Sequence, residues 1–362
     1  MNLADQNILF ISRANFHGGA ENVILQLCEI FNPLVNKIVV CAGKGFDQKA
    51  LEKLHIKFYE IPDIEKKSIG TILTVSKTLR HVVKKEKITV IHTHHRMAAF
   101  YVTLLRLYQG RYFINTSHNT FFNRKALTRF AYKPAHLIAC GEMVKKNMEE
   151  VFGLKDVTVI HNAVEEFKGP VVVDQKVREL HDQGYTLIGN VGRLTKQKGM
   201  EYFIDAAPVV LEKHPKTKFL IVGAGELEDE LRSQVIRLHL EGDVIFLGFR
   251  KDIQNLMSQL DFIVLSSLWE GLPLTPIEAF SVGKTVIGTA VDGTVEIIKD
   301  GENGFLVPPK SISSIAKKCS ELLENTEKRN KFELQARKTY EIDYSFRVFK
   351  TRIVEYYERI GF

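Results

Sequence analysis

The chain has 362 residues, more than one ordinary hydrophobic core holds, so two domains are expected. A composition 45% apolar and 26% charged excludes a disordered chain, and no stretch is long and apolar enough to span a bilayer. The formal charge of +7 is uneven: Lys84, Lys85, Lys87, Arg96, Arg106, Arg111, Arg124, Lys125, Arg129, Lys133, Lys145 and Lys146 all precede residue 150, which suits an anionic partner.

The start, MNLADQNILFIS, has no basic region before a long apolar run and reads as a first strand, NILFIS at 7–12, not a signal peptide. A helix is expected from Ala20 to Ile30, with Val23, Ile24, Leu27 and Ile30 near a 3.6 period. Strands follow at 37–42, 89–94, 112–118, 136–141 and 158–164, with helices over Ile72–Val83 and from Glu142. Glu165 to Gly184 is looser and leads to a second series. Its strands are expected at 186–193, 218–225, 243–248, 261–267 and 285–290, with a short edge strand at 305–309. Its helices cover Met200–His214 and Leu227–Leu240. Strands alternating with helices imply parallel sheets covered on both faces. The chain therefore reads as α/β, with two Rossmann-like domains facing each other across a cleft, 1–168 and 169–341. The aromatic tail, 342–362, is expected to pack back on the first. Cys28, Cys41, Cys140 and Cys319 form no CxxC or zinc pattern and read as buried reduced thiols in a cytosolic protein.

Ligands in such sheets sit beyond the strand C-termini. After the first strand, Gly18 and Gly19 let a ligand approach the start of a helix, though no GxGxxG or GxxxxGK[ST] lies there. His118 follows the strand YFINTS and can donate to a sugar hydroxyl or transfer a proton. His92, His94 and His95 cluster without a convergent acid or thiol, so no metal is expected. GRLTKQKG at 192–199 sets Arg193, Lys196 and Lys198 beside a helix start, which suits a diphosphate. Gly223 and Gly225 repeat the glycine theme before Glu226. In the stretch WEGLPLTPIE, Thr275 and Pro276 look like the N-cap and first position of a helix, with Glu278 closing a capping box. The same spacing would let Glu270 and Glu278 grip hydroxyls of a sugar and a ribose.

Taken in order, GGAE at 18–21, the His118 loop, GRLTKQKG, VGAGE at 222–226 and the pair Glu270–Glu278 resemble the GT-B glycosyltransferases of family 4. These are retaining, nucleotide-sugar-dependent enzymes, and the resemblance covers nearly the whole chain. It implies an acceptor-binding first domain and a donor-binding second one. Arg193 and Lys198 would neutralise the donor diphosphate, Glu278 would bind the ribose, and Glu270 would hold the sugar. Gly271, Leu272, Pro273, Leu274 and Thr275 would offer backbone groups, and Gly18 and Gly19 would admit the pyrophosphate. His118 would align the sugar, and the base would sit near Phe249 and Arg250. His118, Glu270, Lys198 and Arg193 are the catalytic candidates. The usual His-Asp is His118-Asn119 here, which removes any role needing that aspartate.

The resemblance implies a UDP-sugar donor, no tightly bound cofactor and no metal. A glycan or lipid-linked saccharide would be the acceptor, in bacterial cell-surface polysaccharide synthesis. Phe121, Phe122, Arg124, Lys125, Arg129 and Phe130 would meet an acidic membrane surface or a lipid-linked pyrophosphate. The protein would be a cytoplasmic monomer or homodimer, peripheral at the inner face of the membrane, with no nucleic-acid partner. The rival readings are a nucleotide-sugar epimerase on a similar fold and a non-catalytic nucleotide- or nucleic-acid-binding protein.

Overall fold

Short apolar runs rich in Val, Ile and Phe form thirteen strands in a computed structural model that describes residues 2–13, 19–66 and 68–361. The chain divides into two units, Met1–Asn162 with Phe349–Phe362, and Ala163–Val348.

The first unit carries β1 (Asn7–Ile11), β2 (Lys37–Ala42), β3 (Lys57–Glu60), β4 (Val90–Thr93), β5 (Tyr112–Ser117), β6 (His136–Ala139) and β7 (Val157–Val159). They form one parallel sheet in the order β3-β2-β1-β4-β5-β6-β7. Burial of every residue of β1 and β4 shows a sheet covered on both faces. The helix Gly19–Phe31 buries Val23, Ile24, Leu27, Cys28, Ile30 and Phe31. Phe349, Ile353, Tyr356 and Tyr357 of the last helix, Phe346–Arg359, are buried too, and Tyr357 packs at a tilt on Phe31 with centroids 4.4 Å apart.

The second unit carries β8 (Thr186–Val191), β9 (Thr217–Val222), β10 (Val244–Gly248), β11 (Phe262–Leu265), β12 (Val286–Thr289) and β13 (Gly304–Val307). Its parallel order is β10-β9-β8-β11-β12-β13, so β13 is the expected edge. Phe203, Phe219, Phe262 and Ile287 lie at 0% exposure in its core. In each sheet the strand order reverses at the first strand, between β1 and β4 and between β8 and β11. The C-terminal ends of those strands are where a ligand crevice opens.

The four cysteines are buried, as expected, and form no disulfide among the described residues; burial pushes the Cys41 thiol up to about 12. Ser68, Asp174, Ser311 and Asn325 cap helices by accepting backbone N–H groups. Such a cap contributes about 1 kcal/mol. Several elements differ from the expectation: the helices Gln48–Lys53, Arg96–Leu104, Lys125–Tyr132 and Gln175–Asp182 were not anticipated, and the strand expected at 158–164 is only Val157–Val159. β3 was not anticipated, because KFYE lies at the sheet edge with exposed ends, a half-buried middle and no apolar run. The helix expected to begin at Pro276, with Thr275 as its N-cap, begins at Leu274, with Pro273 as its N-cap.

Candidate functional site

The loops after β8 and β11 are laced together by short polar contacts. Asn190 Nδ2 donates to Ser266 Oγ at 2.9 Å, and Ser266 Oγ donates to the Lys198 carbonyl at 3.1 Å. Leu268 N donates to the Gln197 carbonyl at 2.8 Å. Gly199 permits this approach: its φ is +55°, and a Cβ there would stand 2.4 Å from the Ser266 carbonyl oxygen. The Lys198 stem lies against Gly192, 3.4 Å from where a Cβ would be.

This lacing delivers Lys198 to Glu270. Lys198 Nζ stands 2.6 Å from Glu270 Oε1, with the two side chains only 13% and 6% exposed. Ser267 Oγ donates to the same oxygen at 2.6 Å, and Gln197 Nε2 reaches Oε2 at 3.3 Å and the Trp269 carbonyl at 3.0 Å. The Glu270 N–H donates to the Asp292 carboxylate, whose pKa is raised chiefly by burial. A buried carboxylate held by an ammonium and two neutral donors keeps its charge at a fixed place.

Glu278 lies on the helix Leu274–Ser281, beyond its first turn. The capping-box expectation is therefore corrected. The Thr275 hydroxyl donates to the Val191 carbonyl at 3.4 Å, and no side chain caps the helix. Pro273 fixes an extended backbone one residue before the helix and so moves its start forward. Glu278 is free of a capping duty. Part of its surface reaches solvent, yet burial pushes its carboxyl up to about 7, with the Lys198 charge opposing.

The other expected residues fall as follows. Arg193 is exposed just after β8, and its guanidinium takes no partner among the described residues. Gly271, Leu272, Pro273 and Thr275 are buried and Leu274 partly so, at the start of the Glu278 helix. Phe249 is 69% exposed beyond β10. Arg250 is committed elsewhere, to Asp174 at 2.6 Å and to both oxygens of Asp252 at 2.8 and 2.7 Å. Gly19 is the exposed first residue of its helix, and Gly18 lies outside the described residues.

His118, in the first unit, stands with its Nε2 3.0 Å from His94 Nδ1, the rings stacked at 19°. Burial, then the His95 charge, lowers its pKa to about 4, so it is neutral at physiological pH. His92 is fixed by Tyr357 Oη at 2.7 Å and Thr116 Oγ1 at 2.8 Å, and His95 accepts from Met97 N as a helix cap. Among the described residues no three His, Cys, Asp or Glu side chains converge to hold a metal. In the basic segment beyond, Phe122 is 75% and Phe130 46% exposed, while the Arg96 guanidinium covers the Phe121 ring at 4.5 Å.

Sequence reasoning missed Gln197, Ser267, Asp292 and Thr195. Thr195 Oγ1 is buried with no partner among the described residues. The signal for Ser267 was the SS at the end of DFIVLSS, a polar pair closing a buried strand; Asp292 gave none.

Comparison with known proteins gives the family and the fold. Residues 17–166 match the family Glycosyltransferase Family 4, and residues 173–339 match Glycosyl transferases group 1. An uncharacterized glycosyltransferase of Methanocaldococcus jannaschii is 30% identical over 254 residues, 64% of this chain and 65% of that protein. The UDP-Gal:alpha-D-GlcNAc-diphosphoundecaprenol alpha-1,3-galactosyltransferase of Escherichia coli is 29% identical over 259 residues, 66% of this chain and 67% of that protein. The matches thus span about two thirds of those relatives' lengths. The Anabaena protein HepE, solved in complex with UDP-glucose, superposes with a TM-score of 0.82 at 22% identity, covering 98% of this chain and 99% of that one.

Proposed function

The chain belongs to the family 4 glycosyltransferases with the GT-B fold, and we propose that it moves a hexose or N-acetylhexosamine from a UDP-sugar to a hydroxyl of a glycan or lipid-linked saccharide. The observation that carries this reading is the buried Lys198–Glu270 pair at the β8/β11 reversal, with the Glu278 carboxyl beside Lys198. Lys198 and the exposed Arg193 supply the positive charge a diphosphate leaving group needs as it departs. The start of the Leu274–Ser281 helix, free of a side-chain cap, offers backbone N–H groups to the same anion. Glu278 accepts from the ribose hydroxyls, and Glu270 accepts from the sugar and faces the charge developing at its anomeric carbon. Phe249 lies near the base. Arg250 lies beside it, its guanidinium held by Asp174 and Asp252.

In the reaction the donor C1–O bond breaks as the acceptor hydroxyl approaches from the same face. The departing phosphate oxygen takes the acceptor proton, and the anomeric configuration is retained. No carboxylate nucleophile and no metal is needed in this scheme, because protein cations meet the leaving charge. His118, neutral, aligns the sugar. The exposed Phe122 and Phe130 among Arg124, Lys125 and Arg129 suit an acidic membrane face bearing a lipid-linked acceptor. The E. coli relative's name, with its diphosphoundecaprenol acceptor, supports that choice and a place in cell-surface polysaccharide synthesis. No helix among the described residues is long and apolar enough to cross a membrane, so contact would be peripheral.

The test is calorimetric binding of UDP-, GDP-, ADP- and dTDP-sugars to the wild type, Lys198→Ala and Glu278→Gln. One UDP-sugar should bind the wild type and lose at least tenfold in affinity for each variant, about 1.4 kcal/mol. A site indifferent to both substitutions would sink the assignment.

A further inference from the structure

We propose that Asp292 is a positioning residue: its carboxylate holds the main chain at Glu270 and so fixes where that residue meets the donor sugar. This role rests on the reading of Glu270 as a donor-sugar contact. Every group involved belongs to the second unit. Glu270 follows β11, and the strands on either side of β11 are β8 and β12. From the β8 side, Lys198 and Gln197 hold the Glu270 side chain, and Ser267 of its own loop adds a third bond. None of these reaches its main chain.

The main chain is held from the β12 side. Glu270 is buried, and its N–H finds no main-chain acceptor among the described residues. A buried N–H without an acceptor is rare and costly. The loop after β12 supplies that acceptor as the Asp292 carboxylate. The two loops also meet backbone to backbone. A Cβ on Gly293 would stand 1.9 Å from the Gly271 carbonyl oxygen and 2.8 Å from Leu272 Cα. At the end of β12 the Thr289 hydroxyl donates to the Ser267 carbonyl at 2.5 Å. The stretch from Ser267 to Leu272 is thus gripped at its start by Thr289 and at its centre by Asp292 and Gly293.

Asp292 carries two costs at this place. Its φ is +27°, in the half of backbone space that side chains other than glycine rarely enter. Its charge and that of Glu270 also oppose each other. A glycine would remove both costs, yet it would leave the Glu270 N–H without an acceptor. An asparagine tolerates the same backbone, carries no charge and keeps an oxygen that can accept. The three residues therefore separate strain, charge and the accepted hydrogen bond.

The experiment uses the full chain as wild type, Asp292→Asn, Asp292→Gly and Asp292→Ala. The Glu270 amide is observed by NMR in protein labelled with 15N-glutamate, without ligand, and assigned by its absence from Glu270→Gln. Its hydrogen exchange should match wild type in Asp292→Asn and be roughly tenfold faster in Asp292→Gly and Asp292→Ala. Calorimetry then measures UDP, UDP-glucose, UDP-galactose and UDP-N-acetylglucosamine. The UDP-sugar that the wild type binds best should bind the Gly and Ala variants roughly tenfold more weakly and the Asn variant about as well, with UDP alone bound equally by all four. A general loosening of the fold would weaken UDP too. Exchange indifferent to Asp292→Gly, UDP-sugar affinity unchanged by it, equal losses for UDP and UDP-sugar, or an Asn variant as weak as the Gly one would each overturn the proposal. If exchange responds as expected but the wild type binds no UDP-sugar, Asp292 does position Glu270 and the donor reading is what fails.

Discussion

Replacing Glu278 by Gln should make the protein more stable and less able to bind its donor. The carboxyl has an ordinary value near 4.5 and is pushed up to about 7 in the fold, chiefly by burial. A raised carboxyl favours the neutral form. Its cost is therefore absent well below pH 4.5, grows as pH rises from 4.5 to 7, and is constant above. At 1.36 kcal/mol per tenfold, ionised Glu278 costs the fold about 3 kcal/mol at pH 8 and about 1 kcal/mol at pH 5. Gln has nearly the same shape and no charge to desolvate, so Glu278→Gln should recover most of that difference. For a unit of this size the gain at pH 8 is roughly 6–12 °C in Tm, and at pH 5 a third of that. Differential scanning calorimetry of both proteins at the two pH values measures it. On the proposed reading the donor affinity of the same variant should fall about 10- to 100-fold, because charge-assisted hydrogen bonds to the ribose would become neutral ones. A variant less stable than wild type at pH 8, or a stability difference that ignores pH, would refute the reasoning.

Lys198→Ala strands a carboxylate that is 6% exposed and should destabilise the second unit by about 3 kcal/mol, whereas Lys198→Ala with Glu270→Ala should cost less than the sum of the two, as urea melts of the cycle would report. Gly199→Ala forces a left-handed residue against the Ser266 carbonyl and should cost about 2 kcal/mol, with donor binding weakened because Lys198 moves; thermal melts and calorimetric binding read both. Glu86 accepts from Lys57 at 2.8 Å, Tyr59 at 2.6 Å and Lys37 at 3.0 Å, and those bonds hold its carboxyl down at about 2. Its contribution is full above pH 4.5 and lost as pH falls toward 2, so Glu86→Gln should cost about 2 kcal/mol at pH 7 and far less at pH 3, the half-exposed lysines being screened.

The strands were legible wherever a buried parallel run gave continuous apolar residues, as in KIVVCA or KFLIV, and illegible at the edge, where KFYE has only partial burial. Lys198, Glu270 and Glu278 could be singled out because cations and carboxylates at strand ends have few structural duties there. The start of the Glu278 helix was misread since Thr-Pro-Ile-Glu fits a capping box locally, and only the preceding Pro273 decides where the helix begins. The pairing of Arg250 was not legible because its partners Asp174 and Asp252 include one 76 residues away. The His94–His118 contact depends on the register of β4 against β5, which pairs Thr93 with Asn115 and which no local pattern in the sequence specifies.

The central claim, sugar transfer from a UDP-sugar, is tested most directly by incubating the purified chain with radiolabelled UDP-sugars and a bacterial lipid extract, then separating lipid, nucleotide and free sugar. The account predicts that one UDP-sugar releases UDP and puts its label into the lipid fraction with the α configuration of the donor, and that Lys198→Ala abolishes the transfer. Label that never leaves the nucleotide, or that appears only as an epimerised UDP-sugar, would contradict it.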